Sequence, residues 1–409
     1  MLMFGGDPGT KTYRRGTHRA STPDDTIARL RPLMALFGIT RIANVTGLDR
    51  TGIPVVMVCR PNARSSAVFH GKGIDIAAAK ASGLMEAIET WHAEHVQLPL
   101  RYGSLVDLRV RHKLPDVDGL PRVPACRFHA NLPMLWLEGH DLIGGDRIWL
   151  PFETVHANAT TPEPPGSGCF ASSTNGLASG NHLLEALSHA LCEVIERDAT
   201  SLWHRRHPAM QDETRLSLAT VEDNSCRAVL DRLDQADLDV AVWETTTDVG
   251  VPAFQCLVED RTGEIGHVGH GAGCHPTREI ALLRALTEAV QVRTTYIVGS
   301  REDLGHADYG RATMAARSRR ARALMRPVDR MRDFASVDCL AFDIFETEVA
   351  WLLERLKAAG IRQAVAVDLT RSEFGIPVVR VVVPGLEGSD HHAGYVPGVR
   401  ARAIEQRPP

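Results

Sequence analysis

The sequence predicts an α/β fold of mixed, α+β-like character that is assembled from repeated strand–helix units. Two internal repeats support this prediction: three β-rich runs that each follow Gly-x-Pro, and three helical segments that share a six-residue pattern. The hydrophobic content of 44% over 409 residues is sufficient for a core in one large domain or two ordinary ones. We therefore expect a globular protein.

The first repeat predicts three strands that are buried or half-buried in a sheet. Proline is tolerated at the start of a strand because its missing N–H falls at the end of the hydrogen-bond ladder. Valine-rich runs suit a pleated, partly buried surface. The three runs are VVMVC after Gly52-Ile53-Pro54, AFQCLV after Gly250-Val251-Pro252, and VVRVVV after Gly375-Ile376-Pro377.

The second repeat predicts three similar helices. Each copy reads Leu-x-Glu-(Ala/Val)-(Ile/Val)-(Glu/Gln), and its first glutamate follows a glycine by 13 to 15 residues. The unit is therefore a strand, a glycine turn and a helix. The copies span residues 84–89, 191–196 and 286–291, and the preceding glycines are Gly73, Gly180 and Gly273.

The first two helices each carry a pair of glutamates, Glu86 with Glu89 and Glu193 with Glu196. Residues three apart project from the same side of a helix, so the two pairs can converge. These glutamates lie within apolar turns, and glutamate is almost never buried without a partner. An ordinary amphipathic helix with a wetted acidic side is the alternative. Three helices with one pattern favour a shared centre instead.

Divalent cations are natural partners for these glutamates, since Mg²⁺ binds carboxylate oxygens together with water and phosphate oxygens. Four glutamates predict more than one ion, placed beside the phosphates of ATP. Arg197 and Arg284 are candidate phosphate ligands, and a helix-surface ion pair is the alternative for each. The sequence contains no Walker A motif or kinase glycine loop, so a familiar phosphate loop does not bind the nucleotide, and the absence of an HExxH motif counts against a zinc hydrolase.

The overall charge is balanced, with 46 basic and 50 acidic residues. No global field therefore favours nucleic acid or a membrane surface as a partner. No run of about 18 apolar residues and no signal-peptide pattern occurs, so we expect a cytoplasmic protein.

Residues 311–332 contain eight arginines and predict a basic helix that is interrupted at Pro327. A solvated helix face is the favoured interpretation of this segment. A docking surface for an acidic peptide or partner protein is the alternative.

Five stretches of the chain, in family order from about Gly16 to Gly388, resemble the YcaO family. The most specific is the block SGN-x3-E-x7-E-x2-ER. The resemblance implies a YcaO-type fold of repeated strand–helix units around a central ATP and magnesium site. The stretches are GTHRASTPDDTIARL, GKGIDIAAAKASGLMEAIE, TNGLASGNHLLEALSHALCEVIER, GAGCHPTREIALLRALTEAVQ and VVRVVVPGLEG.

The resemblance also implies an activity and a set of site residues. Members of this family use ATP to phosphorylate a backbone amide oxygen after a nucleophile has added to the carbonyl carbon. Loss of phosphate then gives an azoline from a Cys, Ser or Thr side chain, or a thioamide from a sulfide equivalent. The implied magnesium ligands are Glu86, Glu89, Glu193 and Glu196; the implied nucleotide-binding residues are Arg19, Ser82, Asn181, Glu185, Arg197, Arg284, Glu288 and Gln291, with Arg197 and Arg284 also catalytic.

The C-terminal sequence YVPGVRARAIEQRPP lacks the PxPxP tail that is typical of azoline-forming members. It is similar to stand-alone members that work with a TfuA-type partner. We therefore expect thioamidation of a peptide or protein with a TfuA-like partner and a sulfide donor. Azoline cyclodehydration and a non-catalytic nucleotide-binding scaffold are the alternatives.

We expect a flexible N-terminal tail at residues 1–15, a catalytic domain at 16–388 and a C-terminal tail at 389–409. A homodimer is the expected oligomeric state.

Overall fold

A computed structural model describes residues 7–261, 267–390 and 394–406, in which short runs of strands are separated by helices. The strands are β1 (Arg41–Asn44), β2 (Val55–Cys59), β3 (Val68–Lys72), β4 (Leu100–Gly103), β5 (Met134–Asp141), β6 (Arg147–Pro151), β7 (Leu177–Ser179), β8 (Leu238–Glu244), β9 (Ala253–Asp260), β10 (Gly269–Cys274), β11 (Val365–Asp368) and β12 (Val378–Val382). The helices are α1 (Pro23–Leu30), α2 (Ile76–Glu94), α3 (Leu105–Leu108), α4 (Leu183–His204), α5 (Pro208–Asp212), α6 (Asn224–Gln235), α7 (Arg278–Val298), α8 (Arg311–Leu324), α9 (Phe345–Ala358) and α10 (Val399–Glu405).

The strands form three antiparallel sheets. Two of them have three strands, in the orders β1-β2-β3 and β8-β9-β10. The third has the order β4-β5-β11-β12-β7, with β6 paired to β5. Sheets and helices are mixed throughout, so the predicted α/β class is confirmed.

Both sequence repeats correspond to secondary structure. The three Gly-x-Pro runs form β2, β9 and β12, and the three patterned helices are α2, α4 and α7. Each of these helices follows a strand that ends close to it in sequence, namely β3, β7 and β10 respectively. The predicted strand–helix unit is therefore present three times.

Glycines in two of these strands permit very close packing against the following helix. A Cβ atom on Gly71 of β3 would lie 2.0 Å from the carbonyl oxygen of Ala79 in α2. A Cβ atom on Gly273 of β10 would lie 2.1 Å from the carbonyl oxygen of Ala281 in α7. Any side chain at these two positions would force the helix away from its strand.

The three units close into a ring. Helix α2 contacts its own β3 and also β7, α4 contacts its own β7 and also β10, and α7 contacts its own β10 and also β3. Helix α4 is buried along most of its length, with 17 of its 22 residues buried. The ring therefore places all three patterned helices around one centre.

Residues 7–15, which the sequence analysis assigned to a tail, contact the body of the protein. Thr10 forms a β-bridge with Ile344, and the Lys11 ammonium group forms a buried ion pair with Glu348 of α9. Ser188 of α4 donates a second hydrogen bond to Glu348, at 2.6 Å. The pair therefore links the N-terminal segment to two helices of the core.

Residues 394–406, from the expected C-terminal tail, also pack on the core. Arg400 of α10 forms ion pairs with Asp198 of α4 at 3.0 Å and with Asp248 at 2.5 Å. The Tyr395 hydroxyl donates to Glu387 at 2.6 Å. The segment is thereby held against the second half of α4.

The predicted basic helix is α8, which ends at Leu324, before Pro327. Four of the arginines at residues 311–332 form ion pairs: Arg317 with Asp308, Arg322 with Glu259, Arg326 with Asp212, and Arg332 with Glu244.

Within the described ranges, no helix combines the length and the apolar character that a membrane crossing requires.

We expect Lys11→Ala to lower the free energy of unfolding by about 3–5 kcal/mol, because Glu348 would stay buried without its cation. Lys357→Ala is the matched control, since its ion pair with Glu354 is exposed and such pairs contribute about 1 kcal/mol or less. Denaturant unfolding of both variants measures the difference. Equal effects would show that the buried pair does not hold the N-terminal segment.

Candidate active site

The ring brings five glutamates together at its centre. Glu86 and Glu89 lie on α2, Glu193 and Glu196 on α4, and Glu288 on α7. Electrostatic interactions connect Glu193 with Glu86, Glu89 and Glu196, and connect Glu196 with Glu288. All four predicted magnesium ligands and one predicted nucleotide contact therefore share one site.

The glutamates differ in their access to water. The exposed fraction is 9% for Glu196, and it is 17% and 26% for the side chains of Glu193 and Glu288. Glu86 is classed as exposed, although the surrounding protein still desolvates its carboxyl group. The centre is therefore largely enclosed by protein but accessible to solvent at Glu86.

Burial raises the pKa of several of these carboxyl groups. It raises the pKa of Glu86 to about 7, that of Glu89 to about 8 and that of Glu196 to about 7. Burial also raises the pKa of Glu193. Repulsion between neighbouring carboxylates adds to each of these effects. These carboxyl groups therefore tend to keep their protons unless a further cation stabilises the ionised form.

Two protein cations contact the carboxylates. The Lys72 ammonium nitrogen, at the end of β3, lies 2.6 Å from a carboxylate oxygen of Glu288. The Arg197 guanidinium lies 3.8 Å from Glu193. Burial lowers the pKa of Arg197, but the surrounding glutamates, with Glu193 the first of them, raise it further than burial lowers it.

Hydrogen bonds orient one glutamate of each pair. The Ser179 hydroxyl, at the end of β7, donates to Glu89 at 2.8 Å. The backbone N–H of Gly176 donates to Glu193. Gly176 has φ of 77°, and a Cβ atom there would lie 2.2 Å from the carbonyl oxygen of Val381, so this position requires glycine.

The carboxylate centre fits a hard divalent cation. Excess buried negative charge, oxygen donors and access from one side are the conditions under which Mg²⁺ binds between protein and phosphate. Among the described residues, no three His, Cys, Asp or Glu side chains are close enough to hold an ion unaided. Mg²⁺ usually keeps several waters and takes phosphate oxygens as further ligands, so it does not require a cage made of protein ligands alone.

A second group of predicted nucleotide contacts lies at the start of α4. Glu185 accepts hydrogen bonds from Arg19 at 3.3 Å and from the backbone N–H of Ala20 at 2.9 Å. Asn181 accepts from Thr26 at 3.1 Å and from Arg29 at 3.0 Å. The N-terminal segment and α1 therefore contact residues of the SGN-x3-E block that begins just before α4.

The remaining predicted contacts lie on α2 and α7. Arg284 donates to the carbonyl oxygen of Cys274 at 2.9 Å, and Gln291 donates to that of His70 at 2.6 Å. The other amide atom of Gln291, Oε1, is buried without a hydrogen-bond partner. Ser82 is partly buried on α2, one turn before Glu86.

Two residues of the site were not predicted from the sequence. Lys72 neutralises part of the charge of Glu288. It lies between two glycines at the end of β3, in the turn that leads to the helix of Glu86, and this position could have indicated a role in the site. His189 lies four residues before Glu193 on α4, and its Nδ1 atom is buried without a partner. Burial lowers the pKa of His189, and Arg284, Arg19 and Lys72 lower it further.

Comparison with known proteins identifies the family. Residues 70–387 match the family described as YcaO cyclodehydratase, ATP- and Mg²⁺-binding. A protein from the tfuA 3′ region of Rhizobium leguminosarum bv. trifolii is 38% identical over 376 residues, which is 90% of this chain and 88% of that protein. A protein of Methanothermobacter thermautotrophicus is 33% identical over 90% of this chain and 95% of its own length.

Solved structures share the fold. YcaO from Methanopyrus kandleri, bound with AMPPCP and Mg²⁺, is 25% identical, with a TM-score of 0.74 over 95% of this chain and 98% of that one. A heterocyclase in complex with substrate and cofactor is 23% identical, with a TM-score of 0.74; the match covers 93% of this chain and 54% of that one. The chain therefore belongs to the YcaO family of ATP- and Mg²⁺-dependent, peptide-modifying enzymes.

Proposed function

We propose that this protein activates the oxygen of a peptide-backbone amide by phosphorylation, and that a TfuA-like partner then assists conversion of the amide to a thioamide. The carboxylate centre of α2, α4 and α7 supports the phosphorylation step. The 38% identical relative from the tfuA 3′ region supports the involvement of a TfuA-like partner.

In this proposal Glu86, Glu89, Glu193 and Glu196 hold Mg²⁺, and Arg197 and Arg284 contact the phosphates. ATP supplies the phosphoryl group that turns a poor leaving group, the amide oxygen, into a good one. The protein contributes position and electrostatic stabilisation, which are the main requirements of phosphoryl transfer. Sulfide adds to the carbonyl carbon, the oxygen takes the phosphoryl group as ADP leaves, and loss of phosphate forms the C=S bond.

The thiols beside the centre are not suited to act as the nucleophile. Cys192 and Cys274 are buried, and burial holds the pKa of Cys274 well above its usual value. A thiol that stays protonated is a poor nucleophile. This supports a nucleophile that comes from outside the protein, such as a sulfide donor.

Azoline formation is the second candidate function. The description of the family as a cyclodehydratase and the likeness to a heterocyclase favour it. In that reaction a Cys, Ser or Thr side chain of the substrate itself adds to the neighbouring carbonyl carbon. Both reactions use the same ATP-dependent step and therefore the same carboxylate centre.

The assembly and location of the protein are part of the same proposal. A cytoplasmic homodimer would present two copies of the catalytic centre to a peptide or protein substrate. The valine-rich strand β12 is fully buried, so α8 is the better candidate for a contact between subunits or with the partner.

The mass of the product distinguishes the two functions. We expect incubation of the protein with ATP, Mg²⁺, sulfide, a TfuA-like protein and candidate peptides to replace one amide oxygen by sulfur. Loss of one water, without sulfur, would identify azoline formation instead. Phosphate release with an unchanged peptide backbone would contradict both and indicate an amide ligase. Reactions without the TfuA-like protein are the control for its role.

Glu196→Gln tests the metal site, because it removes one charge and keeps the shape of the side chain. We expect turnover to fall by about 10²-fold or more, as when a stabilising group at the reacting phosphate is lost. Binding of AMPPCP in the presence of Mg²⁺, measured by calorimetry, should weaken as well. The metal-free variant should unfold at no lower temperature than the wild type, since one crowded negative charge has been removed.

The matched control for this test is Glu354→Gln on the exposed side of α9, which should behave as wild type. Unchanged turnover and nucleotide binding in Glu196→Gln would show that the assignment of the metal site is wrong. A non-catalytic scaffold would bind AMPPCP in a Glu196-dependent way but modify no peptide.

A further inference from the structure

A cavity of about 330 Å³ lies beside the carboxylate centre. Its walls come from β12 and the residues after it, from α4, from the loop at residues 171–175, and from the C-terminal segment at Tyr395. Much of the lining is aliphatic, including Val194 and Val381. Arg197 lines this cavity and also a smaller one of about 50 Å³ that contains Glu288. The cavity therefore adjoins the nucleotide centre.

Arg380 is the unusual residue in the wall of this cavity. It lies on β12, paired in register with Val367 on one side and Leu177 on the other, and only 3% of it is exposed. Its Nε atom donates to the carbonyl oxygen of Thr154 at 3.1 Å, but Nη1 has no hydrogen-bond partner. A buried guanidinium with an unused donor is costly, and a ligand in the cavity would satisfy that donor.

Two other polar atoms at the same cavity also have no partner. They are Oδ1 of Asn175 and Nε of Arg197. The cavity thus combines guanidinium donors, a side-chain amide and an aliphatic wall. A peptide backbone matches this set, because its carbonyl accepts, its N–H donates and its side chain can be aliphatic.

A free anion matches the cavity less well. Glu193 faces Arg197 at 3.8 Å and also interacts with Arg380, so much of the local positive charge is already balanced. The aliphatic side chains of the lining cannot form hydrogen bonds to replace the water that an anion would lose on binding. A neutral amide avoids both costs.

We propose that this cavity binds the substrate segment next to the modified amide, with Arg380 and Asn175 as backbone contacts and an aliphatic substrate side chain against Val194 and Val381. This inference rests on the proposed function, which requires a peptide beside the nucleotide. Asn175 precedes Gly176, whose N–H donates to Glu193. A backbone held by Asn175 would therefore lie next to a proposed metal ligand without displacing the nucleotide.

The test uses the full chain with Mg²⁺ and AMPPCP, and N-acetyl-L-valine methylamide as the probe. This molecule carries two backbone amides and one aliphatic side chain, and ligand-observed NMR measures its dissociation constant. Arg380→Gln and Asn175→Ala should each raise that constant by about tenfold, as expected for loss of a hydrogen bond to a charged or enclosed group. Asn175 lies in a loop, so its variant remains informative if Arg380→Gln does not fold.

Val378→Ala is the matched control, because Val378 is buried on the same strand and does not line the cavity. It should leave probe binding unchanged, and AMPPCP binding should be unchanged in Asn175→Ala and in Val378→Ala. Equal probe affinity in every variant would overturn the inference. The inference would also be overturned if inorganic phosphate, and not the amide probe, bound in a way that depends on Arg380.

Failure of this inference can be separated from failure of the proposed function. If the wild type forms neither a thioamide nor an azoline, but probe binding still depends on Arg380, the amide site stands and the proposed function fails. If Arg380→Gln forms product with an unchanged KM for the peptide, the proposed function stands and the amide site is refuted.

Discussion

Repulsion among the five glutamates at the centre of the helix ring is the constraint on which the rest of the structure depends. Burial makes each charge more costly, and the nearest carboxylates add to that cost. Apolar packing of α2, α4 and α7 against β3, β7 and β10 opposes it and keeps the helices in place. Lys72, Ser179 and the Gly176 N–H relieve only part of the repulsion. A cation bound at the proposed metal site would relieve the rest of this repulsion.

The regular elements of the fold were predictable because their signals are local. Valine-rich runs after Gly-x-Pro indicated β2, β9 and β12, and a repeated six-residue pattern indicated α2, α4 and α7. The pattern also indicated which side chains would meet, since residues that occupy equivalent positions in similar units occupy equivalent places around a centre. Strand pairing across the sheets depends on packing between distant segments, and no local pattern encodes it.

The interactions that sequence reasoning missed are long-range. Lys72 and Glu288 are 216 residues apart, and Lys11 and Glu348 are 337 apart. Lysine is ordinarily exposed, so nothing in the composition of residues 1–15 indicates that one lysine is fully buried. The apolar and polar lining of the cavity at Arg380 likewise comes from six separate parts of the chain.

The ring of α2, α4, α7, β3, β7 and β10 must keep its geometry for the centre to form, whereas the segments that connect these elements can vary in length. Its contacts involve only three helices and three strands, and the connections between them lie outside it. Sequence can therefore be inserted into a connection, or a domain appended, without moving the centre. The heterocyclase is an instance: this chain matches only 54% of it, yet 93% of this chain superposes with a TM-score of 0.74. Such an architecture allows the ring to stay the same while the rest of the chain changes in length.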